Sequence, residues 1–346
     1  MKTKSYFAED QAPYIVAEMS GNHNQSMDMA LKIVDAAADC GVDALKVQTY
    51  TADSMTLDSN KEDFLVNSKE SLWKGESLFS LYQKAYTPWD WHKPIQERCK
   101  QKGIEFFSSP FSSEAVDFLE ELDVPFYKIA SFENTDLELI KKVASQKKPM
   151  IISTGMASIA DLELSVKTAL ENSCPELVLL KCTSSYPASP ENTNLKTIEH
   201  LREMFGVKVG LSDHTLGIGA ACASVAFGAC LIEKHFVLDR KAGGVDAAFS
   251  LEPSEMKALV DETKRAFQAI GNVHYGPTEQ EEASRVFRRS IYVTKKICVG
   301  EELSRDNVRV MRPGYALEPK YLDVVLGKKV SRELDVGDRI DWDVFG

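Results

Sequence analysis

The sequence predicts an α/β protein, a (β/α)8 TIM barrel followed by a small C-terminal domain. Within residues 1–271, eight short apolar segments alternate with amphipathic helical stretches, which is the number and the size of a (β/α)8 barrel. A doubly wound open sheet is the alternative, but that fold normally carries a glycine-rich phosphate turn after its first strand. The corresponding turn here reads SGNHNQS and has no GxGxxG motif, so the barrel is favoured.

The eight predicted strands are short runs of apolar and β-branched residues, each bounded by turn-forming or helical sequence. In chain order they are YIVAEMS (14–20), ALKVQTY (44–50), EFFSSP (105–110), FYKIAS (126–131), MIISTG (150–155), LVLLKCTS (177–184), VKVGLSD (207–213) and LIEKHFV (231–237).

Helical stretches separate these strands, because their apolar residues recur at the spacing of one helix face. They read MDMALKIVDAAADCG, SEAVDFLEEL, DLELIKKVASQ, IADLELSVKTALEN, NLKTIEHLREMF and IGAACASVAFGA.

A long insertion, residues 51–87, separates the second strand from its helix, and it is polar with several aromatic residues. In a barrel this loop lies on the face where long loops usually serve substrates. Two interpretations are open, a wall of the active site or a surface excursion with its own helix.

The domain boundaries follow from a change of pattern near residue 272. The barrel is predicted to span residues 1–271, and a polar linker, NVHYGPTEQEEASR, spans residues 272–285. Short strands and turns follow in residues 286–346, a module too short to be a catalytic domain by itself.

Composition excludes several classes of protein. The net charge of −11 argues against a nucleic-acid partner that is bound through general basicity. The seven cysteines are scattered without a CxxC pair, so neither a disulfide framework nor a thiolate zinc site is indicated. Because the N-terminal segment has no apolar signal region and no run reaches transmembrane length, we expect a soluble cytoplasmic protein with no membrane partner.

Polar residues are dense at the carboxyl ends of the predicted strands, where the active site of a barrel lies. Because burying unpaired charge is expensive, we expect these side chains to compensate one another in one site. They include Glu18, Lys46, Gln48, Ser109, Lys128, Ser131, Glu133, Ser153, Ser184, Tyr186, Ser212, His214, Glu233 and His235.

Two lysines and two histidines indicate the chemistry of this site. Lys46 and Lys128 stand between apolar neighbours and, with nearby hydroxyls, predict an anion receptor. His214 and His235 end consecutive strands, which predicts a divalent metal site beside the glutamates. Nitrogen and oxygen ligands suit Mn²⁺, Co²⁺, Mg²⁺ and Zn²⁺ about equally. An anion receptor beside a metal indicates phosphate chemistry or activation of a carbonyl group.

The other four histidines are expected to have lesser roles. His23 is either structural or part of the lining of the site, and we do not expect it to be a metal ligand. His92, His200 and His274 fall in helical or linker segments and are predicted to be surface residues.

Taken together, the strand-end motifs resemble the sialic acid synthase family. The motifs are IVAEMSGNHN, ALKVQTY, FFSSPF, YKIASFE, ISTGM, LKCTSSYP, GLSDHT and IEKHF, in the order of that family. The segment RSIYVTKKICVGEELSRDNVRVMRPG is similar to the antifreeze-protein-like (SAF) domain that follows the barrel in the family.

The resemblance implies a condensation of phosphoenolpyruvate with an open-chain acylamino sugar, giving a nonulosonic acid and phosphate. It implies a divalent metal, usually Mn²⁺ with Mg²⁺ or Co²⁺ as alternatives, and a domain-swapped homodimer. It assigns metal binding to His214 and His235, and catalytic roles to Glu18, Glu133 and Glu233. It assigns sugar contacts to Gln48, Tyr186, Asp246 and Arg312, with Arg312 reaching the neighbouring subunit's barrel. It assigns phosphoenolpyruvate contacts to Lys46, Ser109, Lys128, Ser131, Ser153, Ser184 and Ser212.

Within the family, the insertion resembles that of the pseudaminic acid synthase branch, whose sugar is 2,4-diacetamido-2,4,6-trideoxy-altropyranose. Ser184 stands where the sialic acid type usually has Asn, and RPGYAL replaces RPGNG. A methyl group and a second acetamido group on the sugar suit an aromatic pocket, to which Tyr315 and the aromatic residues of the insertion are expected to contribute.

Three alternatives remain open at this stage. A synthase of N-acetylneuraminate or legionaminic acid would use the same chemistry on another sugar. A barrel metal hydrolase would use the two histidines but would not need the two lysines. A carbohydrate-binding protein would act through the small C-terminal module and would leave the polar strand ends unexplained.

Overall fold

The computed structural model describes residues 6–66 and 75–345. The chain forms two compact units, residues 1–271 and residues 272–346. In the first unit eight parallel strands close into a barrel in sequential order, with the last strand paired to the first. The strands are β1 (Tyr14–Glu18), β2 (Ala44–Thr49), β3 (Glu105–Pro110), β4 (Tyr127–Ile129), β5 (Met150–Ser153), β6 (Leu177–Cys182), β7 (Lys208–Ser212) and β8 (Leu231–His235).

All eight predicted strands are confirmed, and each lies inside its predicted segment. Most are shorter than predicted at the carboxyl end, because the chain leaves the sheet there to form the loops of the site. The fourth strand shows this most clearly, since a 3-10 turn over Ser131–Glu133 replaces its predicted end.

The helices of the described chain surround the barrel or fill its connections. They are α1 (Met27–Cys40), α2 (Ala52–Met55), α3 (Leu78–Ala85), α4 (Trp89–Lys102), α5 (Ser113–Glu121), α6 (Leu137–Ala144), α7 (Ile159–Glu171), α8 (Thr197–Phe205), α9 (Gly219–Ser224), α10 (Pro253–Ile270), α11 (Glu279–Glu282) and α12 (Leu322–Val325). The predicted helices are confirmed, except that α9 gives way to a 3-10 turn, Val225–Phe227, before Gly228 adopts a left-handed φ of 77°. No helix within the described ranges is long and apolar enough to cross a membrane.

An aromatic cluster fills the amino-terminal end of the barrel. Phe126 lies at its centre, with ring centroids 5.2 Å from Phe7 and 4.5 Å from Phe107. Tyr14 packs edge-on against both Phe7 and Phe126. With this end filled by apolar side chains, the polar residues of the strands are confined to the carboxyl end.

One prediction about the histidines is wrong. His200 and His274 are exposed as expected, but His92 is fully buried. Helix α4 packs on β2 and β3, and it turns His92 inward, where its Nε2 lies 2.8 Å from Thr49 Oγ1. The helical segment was identified correctly, but its polar composition hid which face meets the sheet.

The second unit has its own core around an antiparallel pair, β9 (Ser290–Val293) and β10 (Val308–Met311). Its buried side chains are apolar, and they include Ile291, Val293, Ile297, Leu303, Val308, Val325, Leu334, Ile340 and Val344. The predicted linker, residues 272–285, lies within this unit and contains α11.

The aromatic cluster makes a stability prediction. We expect Phe126→Ala to lower the free energy of unfolding by about 3–5 kcal/mol, because it leaves a cavity among aromatic rings that cannot close around it. Urea denaturation followed by circular dichroism measures this change. The matched control is Phe132→Ala, whose side chain is 61% exposed and whose loss should change the value by no more than about 0.5 kcal/mol. A loss below about 1 kcal/mol in the Phe126 variant would contradict the prediction.

Candidate active site

A cavity of about 570 Å³ opens at the carboxyl end of the barrel. It is lined by residues from several strand ends and by part of the insertion. The predicted site residues that line it are Gln48, Ser131, Glu133, Ser184, Tyr186, His235 and Asp246. Side chains separated by more than 200 positions along the chain therefore meet at one site, as the barrel prediction requires.

Four buried charged residues form the floor of the site, and we call them the charge quartet: Glu18, Lys46, Lys128 and Glu233. Lys46 Nζ lies 2.8 Å from Glu18 Oε2 and 3.6 Å from Glu233 Oε1. Lys128 Nζ lies 3.1 Å from both carboxylate oxygens of Glu233. Two positive and two negative groups thus compensate one another.

The barrel register explains why the charge quartet assembles. Glu18 and Lys46 are paired neighbours on β1 and β2, and Val16 of β1 is paired with Glu233 of β8. Because strand side chains alternate between faces, the residues two positions apart on one strand point into the barrel together. Gln48, two positions after Lys46, accordingly donates to Glu18 Oε1 at 2.9 Å and to Ser20 Oγ at 3.2 Å.

The quartet shifts the pKa values of its members in opposite directions. Burial favours neutral Glu233, but the ammonium groups of Lys128 and Lys46 outweigh burial and hold the pKa of its carboxyl below the ordinary value. Burial dominates at Glu18 and raises the pKa of that carboxyl, although Lys46 opposes the shift. Burial likewise lowers the pKa of Lys128 against the attraction of Glu233. Glu18 is therefore the member that accepts a proton most readily.

Hydroxyl groups surround the quartet. Ser109 Oγ lies 3.4 Å from Lys46 Nζ, and Ser212 Oγ lies 3.5 Å from Glu233 Oε1. Ser153 Oγ is buried and has no hydrogen-bond partner among the described residues. A buried, unsatisfied hydroxyl costs free energy, so its presence here marks a place for a polar ligand.

A second group of polar atoms converges on Gly155, which was not predicted as a site residue. Its backbone N–H donates to Ser131 Oγ at 3.2 Å. A Cβ atom at this position would lie 2.1 Å from Ser184 Oγ and 2.6 Å from Ser131 Oγ, so only glycine fits. Asn134 holds the same loop from behind by donating to the carbonyl oxygens of Ser153 and Gly155. The ISTGM motif contained this signal, because a glycine directly after a strand often allows a close approach of the backbone.

The two predicted metal ligands lie side by side. The rings of His214 and His235 are 5.3 Å apart between centroids, and both pack against Phe249. His235 Nδ1 is buried without a hydrogen-bond partner in the described part of the chain, and it lies 3.7 Å from Asp246 Oδ2. Burial, together with the positive charge of His214, lowers the pKa of His235 well below its ordinary value, so its ring is neutral.

These groups fit a divalent metal as an open site. No three His, Cys, Asp or Glu side chains are arranged to hold a metal ion in residues 6–66 and 75–345. The chain offers two neighbouring imidazoles, one with a buried nitrogen that lacks a partner, and catalytic metal sites leave positions for water or substrate.

Cys182 is a neighbour of the histidine pair that the sequence did not single out. Its Sγ lies 3.9 Å from His214 Nδ1, which also lies 3.1 Å from the carbonyl oxygen of Thr183. Burial alone would raise the pKa of the Cys182 thiol, but His214 lowers it to about 7. The sequence placed this cysteine in an apolar run, and only the fold brings it to the histidine.

Glu133 differs from the other predicted carboxylates because it stands apart from the lysines. Burial raises the pKa of its carboxyl to about 7, and its Oε2 has no hydrogen-bond partner among the described residues. A carboxyl with this pKa at the cavity wall can give and take a proton near neutral pH.

The insertion forms an apolar wall of the cavity. Met55, Val66, Leu78, Leu81 and Tyr82 all line it. Tyr82 packs edge-on against Tyr50, whose ring meets Phe111 in the same way. The structure favours the interpretation that the insertion serves the site, and α3 shows that it also has its own helix. Residues 67–74 of the insertion lie outside the described residues.

Arg312 and Tyr315 belong to the second unit, where both are exposed. Arg312 directly follows β10 and precedes Pro313 in a cis peptide bond. Their predicted contributions to the sugar site stay predictions.

Comparisons with known proteins agree with this geometry. The NeuB family model matches residues 33–275, and the SAF domain model matches residues 288–345. A pseudaminic acid synthase of Campylobacter jejuni is 46% identical over 96% of this chain and 97% of its own length. An N,N'-diacetyllegionaminic acid synthase of Legionella pneumophila is 35% identical over 95% of this chain and 94% of its own. The crystal structure of an N-acetylneuraminic acid synthetase from Leptospira borgpetersenii in complex with citrate superposes with a TM-score of 0.70 at 31% identity, covering 80% of this chain and 90% of that one.

The raised pKa of Glu133 predicts a pH dependence of stability. A carboxyl whose pKa rises from 4.5 to about 7 on folding loses stability as the pH rises between these values, because the unfolded chain ionises first. We therefore expect Glu133→Gln to gain up to about 3 kcal/mol relative to the wild type between pH 5 and pH 8. Urea denaturation at the two pH values measures it. Glu163→Gln on the exposed side of α7 is the control, and an equal gain in both variants would contradict the assignment.

Proposed function

The chain belongs to the NeuB family, and from this membership we propose that it is a phosphoenolpyruvate-dependent synthase that makes pseudaminic acid. The second substrate is 2,4-diacetamido-2,4,6-trideoxy-altropyranose, and the products are pseudaminic acid and phosphate. The observation that carries the proposal is the near full-length identity of 46% to a pseudaminic acid synthase, combined with a charge quartet at the expected place.

The lysines of the quartet support the binding of phosphoenolpyruvate. Its carboxylate and phosphate are anions, and Lys46 and Lys128 are the buried cations nearest the cavity floor among the residues described. Ser131 and Ser184 around Gly155, together with Ser153, supply hydroxyl groups for the phosphate oxygens. In a site shielded from water such charge-assisted hydrogen bonds are stronger than at the surface.

The reaction forms one carbon–carbon bond and breaks one carbon–oxygen bond. C3 of phosphoenolpyruvate attacks the sugar aldehyde, water adds at C2, and the tetrahedral intermediate then releases phosphate. The aldehyde oxygen gains a proton, and the attacking water loses one. Glu133, with a pKa of about 7, and Glu18, with a raised pKa, are the groups that can move these protons.

The metal expectation extends this proposal. His214 and His235 would hold a divalent ion, with Mn²⁺ preferred and Mg²⁺ or Co²⁺ as alternatives. Bound there, it supplies Lewis-acid polarisation of the sugar aldehyde. Asp246 lies close enough to His235 to orient its ring, and Tyr186 packs against His214 with 4.5 Å between ring centroids.

The apolar wall supports the choice of sugar. The proposed sugar carries a methyl group and a second acetamido group, which bury more apolar surface than hydroxyl groups do. Tyr50, Leu81 and Tyr82 offer that surface beside Gln48, which can bind polar groups of the sugar. A homodimer in which Arg312 reaches the partner's barrel, and a cytoplasmic location, complete the proposal.

A substrate comparison tests the choice of sugar. We expect phosphate release only when phosphoenolpyruvate and a sugar are both present, and the highest kcat/KM with the diacetamido altrose. The panel should include N-acetylmannosamine and the diacetamido sugar that gives legionaminic acid, with the product identified by mass spectrometry. A preference for N-acetylmannosamine would remove the pseudaminic assignment, and phosphate release without sugar would indicate a hydrolase.

The metal assignment makes a separate prediction. His235→Ala should lower Mn²⁺-dependent turnover by more than about 100-fold without unfolding the barrel, because it removes one of two imidazole ligands. Metal content after dialysis against Mn²⁺ and the rate of phosphate release measure the effect. The control is His200→Ala on the exposed face of α8. A His235 variant that keeps its Mn²⁺ and its activity would show that this histidine is not a ligand.

A further inference from the structure

A second buried ion pair lies directly behind the histidine pair, on the outer side of the barrel wall. Lys234 Nζ lies 2.8 Å from Asp213 Oδ2, and the two side chains are 0% and 1% exposed. Strand alternation places them on the opposite face from His235 and Ser212, towards the helices. The neighbouring outward residues, Leu211 and Ile232, are buried and apolar, as is normal for that face.

The ammonium group of Lys234 is fully used in this position. Besides Asp213, it donates to the carbonyl oxygen of Thr215 at 2.6 Å and to that of Gly217 at 2.9 Å. Asp213 closes the network by accepting from the backbone N–H of Thr215 at 2.9 Å and from its hydroxyl at 3.2 Å. The loop after β7 is therefore fastened to β8 through one side chain.

Each member of the pair directly precedes one of the histidines. Asp213 is followed by His214, and Lys234 is followed by His235. The two backbones are also joined, because Asp213 N–H donates to the carbonyl oxygen of Glu233 at 3.0 Å. A bond between the outward side chains consequently restricts the direction in which the two imidazoles point on the inward side.

We propose that Lys234 and Asp213 are positioning residues that hold the imidazoles of His214 and His235 at the separation that the reaction requires. Stability alone does not account for the pair, because replacing a buried ion pair by apolar residues is often neutral or stabilising. What apolar residues cannot do is bind two loop carbonyl oxygens at fixed distances. The inference rests on the proposed function and adds residues that contact no substrate.

The test uses the full-length double variant Lys234→Met/Asp213→Asn, which removes both charges and leaves no unpaired buried ion. We expect its affinity for Mn²⁺, measured by isothermal titration calorimetry without substrates, to fall by about 10- to 100-fold, as for groups that orient metal-bound histidines. Amide hydrogen exchange over residues 213–218 should accelerate while exchange in the other strands stays unchanged. The kcat with saturating Mn²⁺ should fall as well.

A matched control is Lys208→Met, which breaks the pair between Lys208 and Glu176 at the opposite end of β7, where the distance is 2.7 Å. It should leave Mn²⁺ affinity and exchange over residues 213–218 at wild-type values. Thr215→Val is a milder second variant, which removes only the hydroxyl bond to Asp213 and should weaken Mn²⁺ binding to a smaller degree. It decides the question if the double variant does not fold.

Folded variants of both kinds with wild-type Mn²⁺ affinity would overturn the proposal, and so would a wild-type protein that binds no Mn²⁺. Failure of the proposed function gives a different result. In that case the wild type releases no phosphate from phosphoenolpyruvate with any sugar, while the variants still differ from the control in Mn²⁺ affinity and amide exchange.

Discussion

The charge quartet is the constraint on which the rest of the site depends. Two lysines and two glutamates inside a barrel are tolerable only if they stay within ion-pair distance of one another, because an unpaired buried charge costs several kcal/mol. Register supplies that proximity, since Glu18 and Lys46 are partners across β1 and β2. The aromatic cluster at the other end keeps water and polar side chains out, so the charged groups and the cavity occupy the same end of the barrel.

The sequence alone predicted the barrel and most of the site, because parallel strands that are buried on both faces leave continuous apolar runs. It also placed His214 and His235 together, since consecutive strands of a barrel are neighbours. The ion pairs were not predictable, because sequence does not give register or side-chain direction across four strands. Lys46 and Lys128 were expected to be free for an anion, whereas both are paired with carboxylates.

The remaining differences have the same physical origin. The burial of His92 depends on which face of α4 meets the sheet, and its polar neighbours give no periodic signal. Gly155 and Cys182 act through contacts with residues on other strands, which no local pattern reveals. The insertion contributes an apolar wall because Leu81 and Tyr82 lie on one side of α3, although its composition is polar overall. Local patterns therefore predict elements well, and tertiary contacts decide which side chains reach the site.

Pairing the lysines with glutamates gives the proposed reaction a link between binding and proton transfer. The quartet is electrically balanced, so an anion that binds Lys46 and Lys128 adds negative charge beside Glu18 and Glu233. Added negative charge raises the pKa of a nearby carboxyl, and burial already raises that of Glu18. Glu18 is then the group that takes up a proton when phosphoenolpyruvate binds, because neutralising it relieves the repulsion. The proton arrives next to the cavity in which the sugar aldehyde must be protonated, so the anion itself prepares the acid that its reaction needs.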